Sequence, residues 1–303
     1  MGVLYFLEKL RFPALDEIML LITRLGEETA FLAAALIVFW CVDKRKGYYL
    51  MSVGFIGTML NQFLKLVCAV PRPWVLDPEF TIVEKAREAA TGYSFPSGHS
   101  QNAVGTFGAI AATAGNRWVR IASVGVAVLV PFSRMYLGVH TPADVLTGSA
   151  MALVLVLALR PVARAEGEKG MKLLIAGMLA MALGLLAYVE LYPFGEQVDE
   201  QNLLSGLKNA YTMMGCMVGV AVIYVAEKKY VKFETKAVWW AQILKIVLGL
   251  GLVLLVKEGL RSPLELVLPV YPARAVRYFL VVVTAGFLWP MSFRRFAKLG
   301  AKK

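Results

Sequence analysis

Both histidines of this chain, His99 and His140, fall in short polar stretches beside apolar runs. The first stretch is PSGHS, in which Pro96, Ser97, Gly98 and His99 open an apolar run. The second is SRMYLGVHTPAD. There Ser133 and Arg134 close one run, His140 follows after five residues and Asp144 after three more. A third stretch, KLVCAVPRP, sets Lys65 ahead of Arg72-Pro73 with six residues between. Cations at the ends of apolar segments are costly unless they are paired, solvated or serve a ligand. Gathered at one place, Lys65, Arg72 and Arg134 would hold an anion, and the planar fork of arginine suits the oxygens of a phosphate. A helix opening at Ser97-Gly98 would add free backbone N–H groups and a favourable dipole, and glycine lets the backbone approach closely.

Cleavage of a phosphate ester needs a nucleophile, a proton for the leaving oxygen and stabilisation of the developing charge. His99 and His140 are candidates for the first two tasks. Asp144 is spaced to fix the imidazole tautomer of His140 and steady its cationic form. Each residue alone has a plainer reading. Lys65 and Arg134 can snorkel to an interface, Ser97 can cap a helix, and Ser133 can bond back to its own helix. Thr141-Pro142-Ala143-Asp144 reads as a capping box with Pro at N1. The joint placement of two histidines, three cations and an aspartate argues for a site.

These stretches must be positioned by membrane helices. Hydrophobic residues make up 58% of the chain and charged residues 17%, against about 25% charged in soluble domains. Runs such as MALVLVLAL and ILKIVLGLGLVLLV belong to segments near the ~20 residues that cross a bilayer. The expected fold is all-α, a polytopic transmembrane helical bundle with spans near 28–42, 48–68, 98–114, 117–136, 143–161, 171–191, 204–226, 237–258 and 276–293, about nine in total. Residues 1–27 carry Asp16 and Glu17 in a short helix and read as an interfacial or re-entrant segment. Residues 28–161 form the core, and 162–303 a C-terminal transmembrane extension. Cys41, Cys68 and Cys216 lie in or beside apolar segments and are expected as buried thiols, with no disulfide framework or metal set.

The net charge of +11 is distributed as a topology signal. Asp43-Lys44-Arg45-Lys46, Arg117 and Arg120, Arg160 to Lys172, Lys228 to Lys236 and the tail Arg294 to Lys303 are basic and alternate along the chain with the mixed segment 77–88 and the acidic 190–200. The positive-inside rule puts the basic loops and the C-terminus in the cytoplasm, and loop 71–97, the turn at His140 and the acidic loop outside. The charge is therefore not a nucleic-acid signal.

Taken together, the three stretches resemble the type-2 phosphatidic acid phosphatase family. Its signature is Lys, six residues, Arg-Pro; then Pro-Ser-Gly-His; then Ser-Arg, five residues, His, three residues, Asp. Lys65 to Arg72-Pro73, Pro96 to His99, and Ser133-Arg134 to His140 and Asp144 match it without departure. The match covers 65–144 directly, and the helical pattern extends it to about 28–161. The resemblance implies that Lys65, Arg72 and Arg134 bind phosphate oxygens, with hydrogen bonds added by Ser97 and Gly98. It implies that His140 attacks phosphorus to form a phosphohistidine, that Asp144 orients His140, and that His99 protonates the leaving group. Neither metal nor cofactor is implied. The implied partner is a membrane lipid phosphate or diphosphate, admitted sideways between spans to a site on the outer face of a cytoplasmic membrane. Undecaprenyl diphosphate, phosphatidic acid, phosphatidylglycerophosphate and sphingoid-base phosphate are the candidate substrates. The outward site favours the lipid-carrier diphosphate.

Three alternatives differ in class. One is a phosphatase of a water-soluble sugar phosphate, as in the glucose-6-phosphatase branch, whose additional spans the extension loosely resembles. Trp74, Phe80 and Tyr93 in loop 74–95 suit such a lid. The second is a vanadate-dependent haloperoxidase, against which the spans count. The third is a non-enzymatic lipid-phosphate transporter, which would need none of His99, His140 and Asp144.

Overall fold

The computed structural model describes residues 1–164, 167–195 and 198–299. Lys302 and Lys303 of the basic tail and Glu196 of the acidic loop lie outside the described residues. Every regular element among the described residues is helical. In chain order the α-helices are α1 (Gly2–Glu8), α2 (Pro13–Thr23), α3 (Glu28–Ile37), α4 (Lys44–Cys68), the single turn α5 (Pro73–Leu76), α6 (Gly98–Thr113) and α7 (Arg117–Tyr136). There follow α8 (Pro142–Arg164), α9 (Lys169–Leu191), α10 (Glu200–Ala226), α11 (Trp239–Gly259), α12 (Arg261–Glu265), α13 (Val270–Val283) and α14 (Phe293–Lys298). Their starts follow local chemistry. Pro13 and Pro73 occupy first-turn positions, where a missing N–H costs nothing. Asn116 caps α7 by accepting from the backbone of Trp118 at 2.7 Å and Val119 at 3.4 Å.

Seven helical stretches among the described residues are long and apolar enough to cross a bilayer, beginning at Lys44, Arg117, Pro142, Lys169, Glu200, Trp239 and Val270. The chain is a multi-pass membrane protein. The expected count of about nine is approximate, and the other two spans differ in kind. The expected span at 28–42 joins Pro13–Gly26 as a pair bent by 55°. The expected span at 98–114 is the 16-residue α6, roughly 24 Å long against a hydrocarbon core of about 30 Å. It buries Ser100, Gln101, Asn102 and Thr106. It packs against α7 and α8. A helix enclosed by protein can carry polar groups that a lipid-facing one cannot.

The chain divides into two compact units. One comprises Met1–Leu32, Tyr49–Arg164 and Pro193–Gly206. Within it α2 packs on α7, and the N-terminal residues are tied down by polar contacts. Arg11 donates from Nε to the Tyr136 carbonyl at 2.9 Å and from Nη1 to the Thr81 carbonyl at 2.7 Å. Tyr5 donates to Asp77 at 2.7 Å and Tyr136 to Asp16 at 2.8 Å. In the same unit the backbone N–H of Asp199 donates to Tyr93 Oη at 3.0 Å, joining the acidic loop to the segment before PSGHS.

The other unit comprises Ala33–Tyr48, Ala165–Tyr192 and Leu207–Lys303. Its interior holds edge-to-face contacts among Phe39, Trp40, Phe233 and Phe293. Two of its buried charges have polar partners. Glu227 pairs with Lys44 at 2.6 Å, and Lys245 donates to the carbonyls of Trp40 at 3.0 Å and Thr235 at 3.1 Å. Of the three cysteines, Cys216 is buried, Cys41 partly so, and Cys68 is exposed at the end of α4. The expectation of three buried thiols therefore fails at Cys68, which is the last residue of α4.

Candidate active site

Lys65, Arg72, Ser97, Gly98, His99, Arg134, His140 and Asp144 all belong to the first unit. Lys65 lies in the last turn of α4, Arg72 caps α5, and Ser97 caps α6 with Gly98 and His99 in its first turn. Arg134 lies in the last turn of α7, and Asp144 in the first turn of α8. Helix ends thus deliver every one of them except His140, which sits in the tight turn between α7 and α8.

Arg72 organises the centre. Its Nη1 lies 2.9 Å from His140 Nε2 and 3.0 Å from the Val139 carbonyl. Its Nε donates to the Gly92 carbonyl at 3.0 Å and its Nη2 to that of Thr91 at 2.7 Å. A guanidinium can only donate. His140 Nε2 is therefore the acceptor, and the ring proton belongs on Nδ1. That nitrogen lies 3.5 Å from Asp144 Oδ2, longer than a hydrogen bond but within ion-pair reach. Burial, and then the positive charges of Arg72, Arg134 and Lys65, hold the His140 imidazole well below the ordinary histidine range.

Asp144 serves two structures at once. Its Oδ2 accepts from the Thr141 backbone at 2.7 Å, while its own N–H donates to Thr141 Oγ1 at 3.3 Å. The capping box expected from the sequence is present, and the carboxylate that closes it is the one beside His140. Ser94 donates to the same oxygen at 2.6 Å. The Asp144 carbonyl accepts the Ser97 N–H at 3.0 Å, which ties the start of α6 to the start of α8. Ser97 Oγ accepts from Ser100 N at 3.4 Å and Ser100 Oγ at 2.9 Å. It caps α6, and its backbone N–H is already in use. The N–H groups of Gly98 and His99, in the first turn, have no acceptor within the helix. Ser133 donates to the Val130 carbonyl at 2.7 Å, the back-bonding expected of it.

Two groups stand open. Arg134 is fully buried at 0% exposure. Its Nη1 donates to Thr23 Oγ1 at 2.9 Å, while its Nε and Nη2 are buried without a protein partner. His99 Nε2 is likewise buried without a partner. Lys65 donates to the Tyr93 carbonyl. Cationic donors with unmet hydrogen-bonding capacity in a protein interior suit an anion rich in oxygen acceptors. Among the described residues no group of three or more His, Cys, Asp or Glu could hold a metal ion.

Several residues in this network carry no signal in the sequence. Ser94 reaches Asp144, Thr23 reaches Arg134, and Asn61 donates to the Pro96 carbonyl at 3.2 Å. Gly148 permits the close passage of two chains: a Cβ there would lie 2.5 Å from the Ser97 carbonyl oxygen.

Comparison with known proteins places this arrangement in a family. The model of the PAP2 superfamily matches residues 45–168, and that of the PAP2 superfamily phosphatase transmembrane extension matches 211–303. The chain is similar to an undecaprenyl-diphosphatase of Sulfolobus acidocaldarius, 31% identical over 46% of this chain and 66% of that protein. It is similar to undecaprenyl-diphosphatase BcrC of Bacillus subtilis, 34% identical over 46% of this chain and 71% of that protein. It is also similar to phosphatidylglycerophosphatase B of the same organism, 32% identical over 48% of this chain and 74% of that protein. A solved structure of a transmembrane PAP2-type phosphatidylglycerolphosphate phosphatase from Bacillus subtilis is 28% identical, covering 55% of this chain and 86% of that one with a TM-score of 0.46. The chain belongs to the PAP2 superfamily and is a membrane phosphatase.

Proposed function

We propose that this phosphatase hydrolyses a lipid phosphate or diphosphate, without a metal, through a phosphohistidine formed on His140. The observation that carries the reading is the placement of the His140 ring between Arg72 and Asp144. Arg72 donates toward Nε2 at 2.9 Å, and Asp144 lies on the Nδ1 side. The Nε2 lone pair therefore points at the cationic groups that would hold the phosphoryl oxygens. On binding, the phosphoryl oxygens take the N–H of Arg72, and the lone pair is released for attack. The Nε2–P bond forms as the P–O bond to the lipid breaks, and His99 gives its proton to the leaving oxygen. In the second step water attacks phosphorus, the N–P bond breaks, and His99 takes the water proton. Phosphate leaves and Nε2 regains its lone pair. Lys65, Arg72, Arg134 and the N–H groups of Gly98 and His99 stabilise the charge of both transition states, while Asp144 offsets the positive charge that develops on the imidazole.

The lipid class is supported by the relatives, two named undecaprenyl-diphosphatase and one phosphatidylglycerophosphatase B. We place the site on the non-cytoplasmic face. The basic loops all lie on the other side of the hydropathy alternation, and the Asp199–Tyr93 hydrogen bond is consistent with the acidic loop sharing the side of PSGHS. Phosphate release by the detergent-purified protein in EDTA tests the chemistry. The panel is undecaprenyl or farnesyl diphosphate, phosphatidic acid, phosphatidylglycerophosphate, sphingosine phosphate and glucose 6-phosphate, with His140→Ala alongside. Release from a lipid substrate that is lost in His140→Ala is the expected result. Unaltered release by that variant rules out the phosphohistidine. In intact cells carrying Cys68→Ser, an impermeant thiol reagent labels Gly195→Cys and not Gly167→Cys. The reverse pattern places the site inside.

A further inference from the structure

The PAP2 match begins at residue 45, yet two contacts to the site come from well before it. Thr23 ends α2, and Gly26 ends the following turn, Arg24–Gly26. Thr23 is 4% exposed. Its Oγ1 accepts from Arg134 Nη1 at 2.9 Å, and no other side-chain or backbone acceptor serves that guanidinium among the described residues. Gly26 passes against His99 so closely that a Cβ would meet the His99 carbonyl oxygen at 2.8 Å and His99 Cβ at 3.1 Å. One short segment therefore touches both the guanidinium of Arg134 and the backbone of His99.

Geometry makes the hydroxyl consequential. A buried arginine held by its stem alone can turn about its last torsions, and its fork then has no fixed direction. One hydrogen bond at Nη1 fixes the guanidinium plane. It leaves Nε and Nη2, the two nitrogens on the other edge, as a parallel pair of donors. That is the arrangement that grips two oxygens of one phosphoryl group. We infer that Thr23 is a positioning residue for the phosphatase reaction: it orients Arg134 so that the paired Nε and Nη2 donors meet the phosphoryl oxygens as charge builds on them. Residues 1–27, expected as an interfacial or re-entrant segment, thereby contribute to the site. The inference rests on the proposed role of Arg134 in phosphate binding.

The test compares Thr23→Val, which keeps the shape and removes the acceptor, with Thr23→Ser, which keeps the acceptor. Both are assayed in detergent with a lipid phosphate and with orthovanadate as a mimic of the five-coordinate transition state, beside His140→Ala. Misaligning a group that acts in the transition state lowers kcat more than it raises KM. Thr23→Val is expected to lose roughly 10- to 100-fold in kcat, with KM changed less than about threefold and vanadate inhibition weakened by a factor comparable to the loss in kcat/KM. Thr23→Ser is expected to restore most of the rate. Wild-type kcat in Thr23→Val, with His140→Ala inactive, overturns this inference and leaves the phosphohistidine reading standing. Equal loss in the valine and serine variants also overturns it, since packing and not the hydroxyl is then at work. Full activity in His140→Ala overturns the phosphohistidine reading itself, whatever the Thr23 variants do.

Discussion

Gly148 is expected to be intolerant of a single methyl group. It lies one turn beyond Asp144 on α8, where the chain entering α6 crosses it. An added Cβ would stand 2.5 Å from the Ser97 carbonyl oxygen, whereas ordinary contact begins near 3.4 Å, so the two backbones must separate by about 0.9 Å. The obstacle is backbone and cannot swing aside as a flexible side chain would. The Ser97 carbonyl also accepts the first helical N–H of α6, from Gln101 at 3.0 Å, and the Ser97 N–H is held by Asp144 at 3.0 Å. Displacement therefore carries Ser97, Gly98 and His99 together. Overpacking of this size costs about 1–3 kcal/mol, which a bundle of this length should survive. Misplacing catalytic groups by about 1 Å costs on the order of 10²-fold in rate. Gly148→Ala should thus remain folded by size-exclusion and thermal melting, and lose about two orders of magnitude in kcat/KM for phosphate release from a lipid phosphate. Gly125→Ala on α7 is the control, since a Cβ there meets nothing within 4 Å. If Gly148→Ala retains activity within about threefold of the control, the PSGH segment does not need this register, and the reasoning from the close approach is wrong.

Other substitutions separate charge from shape. Asp144→Asn keeps a competent helix cap, so melting should shift little, but it removes the charge that favours a proton on Nδ1, and kcat should fall roughly 10⁴-fold; a loss under tenfold means the carboxylate does not set the tautomer. Arg72→Lys keeps the cation but cannot reach Gly92, Thr91, Val139 and His140 together, and kcat/KM should fall about 10²- to 10³-fold. Wild-type kinetics in that variant would show that charge alone suffices. Because His140 titrates well below the usual range, kcat/KM corrected for substrate ionisation should show no decline as pH falls through about 6.5, where an ordinary imidazole would begin to protonate. The unfolded chain takes up that proton near pH 6.5 and the native state does not. The contribution of His140 to stability is therefore full above that pH and declines as pH falls toward the native value, which melting curves at stepped pH will show.

The membrane class and most helices were legible because the bilayer imposes long apolar runs, and seven stretches carry enough of them to be unmistakable. α6 was legible as a helix but not as an enclosed one. Its Gln101, Asn102 and Thr106 look out of place in a span until α7 and α8 are seen around it. The cations and histidines stood out because charged and titratable residues are rare at membrane depth, so their spacing carries information. Thr23, Ser94 and Gly148 did not stand out. Threonine, serine and glycine are common in membrane helices and loops, and only the three-dimensional path shows which of them meets a guanidinium, a carboxylate or a crossing backbone. The partners of Arg72 and Lys65 are largely carbonyls, which every residue possesses and no sequence pattern marks.

The open donors of Arg134 also bear on what the protein does between turnovers. Two N–H groups of a buried guanidinium that face no protein acceptor offer the same paired grip to a free tetrahedral oxyanion as to an ester. The reaction produces such an anion each time it runs. On the proposed role of Arg134, the released phosphate is therefore both exhaust and ligand, and it competes with the next substrate for the same donors. On that reading throughput is coupled to the free phosphate on the side of the membrane where the site opens, with no separate regulatory site required.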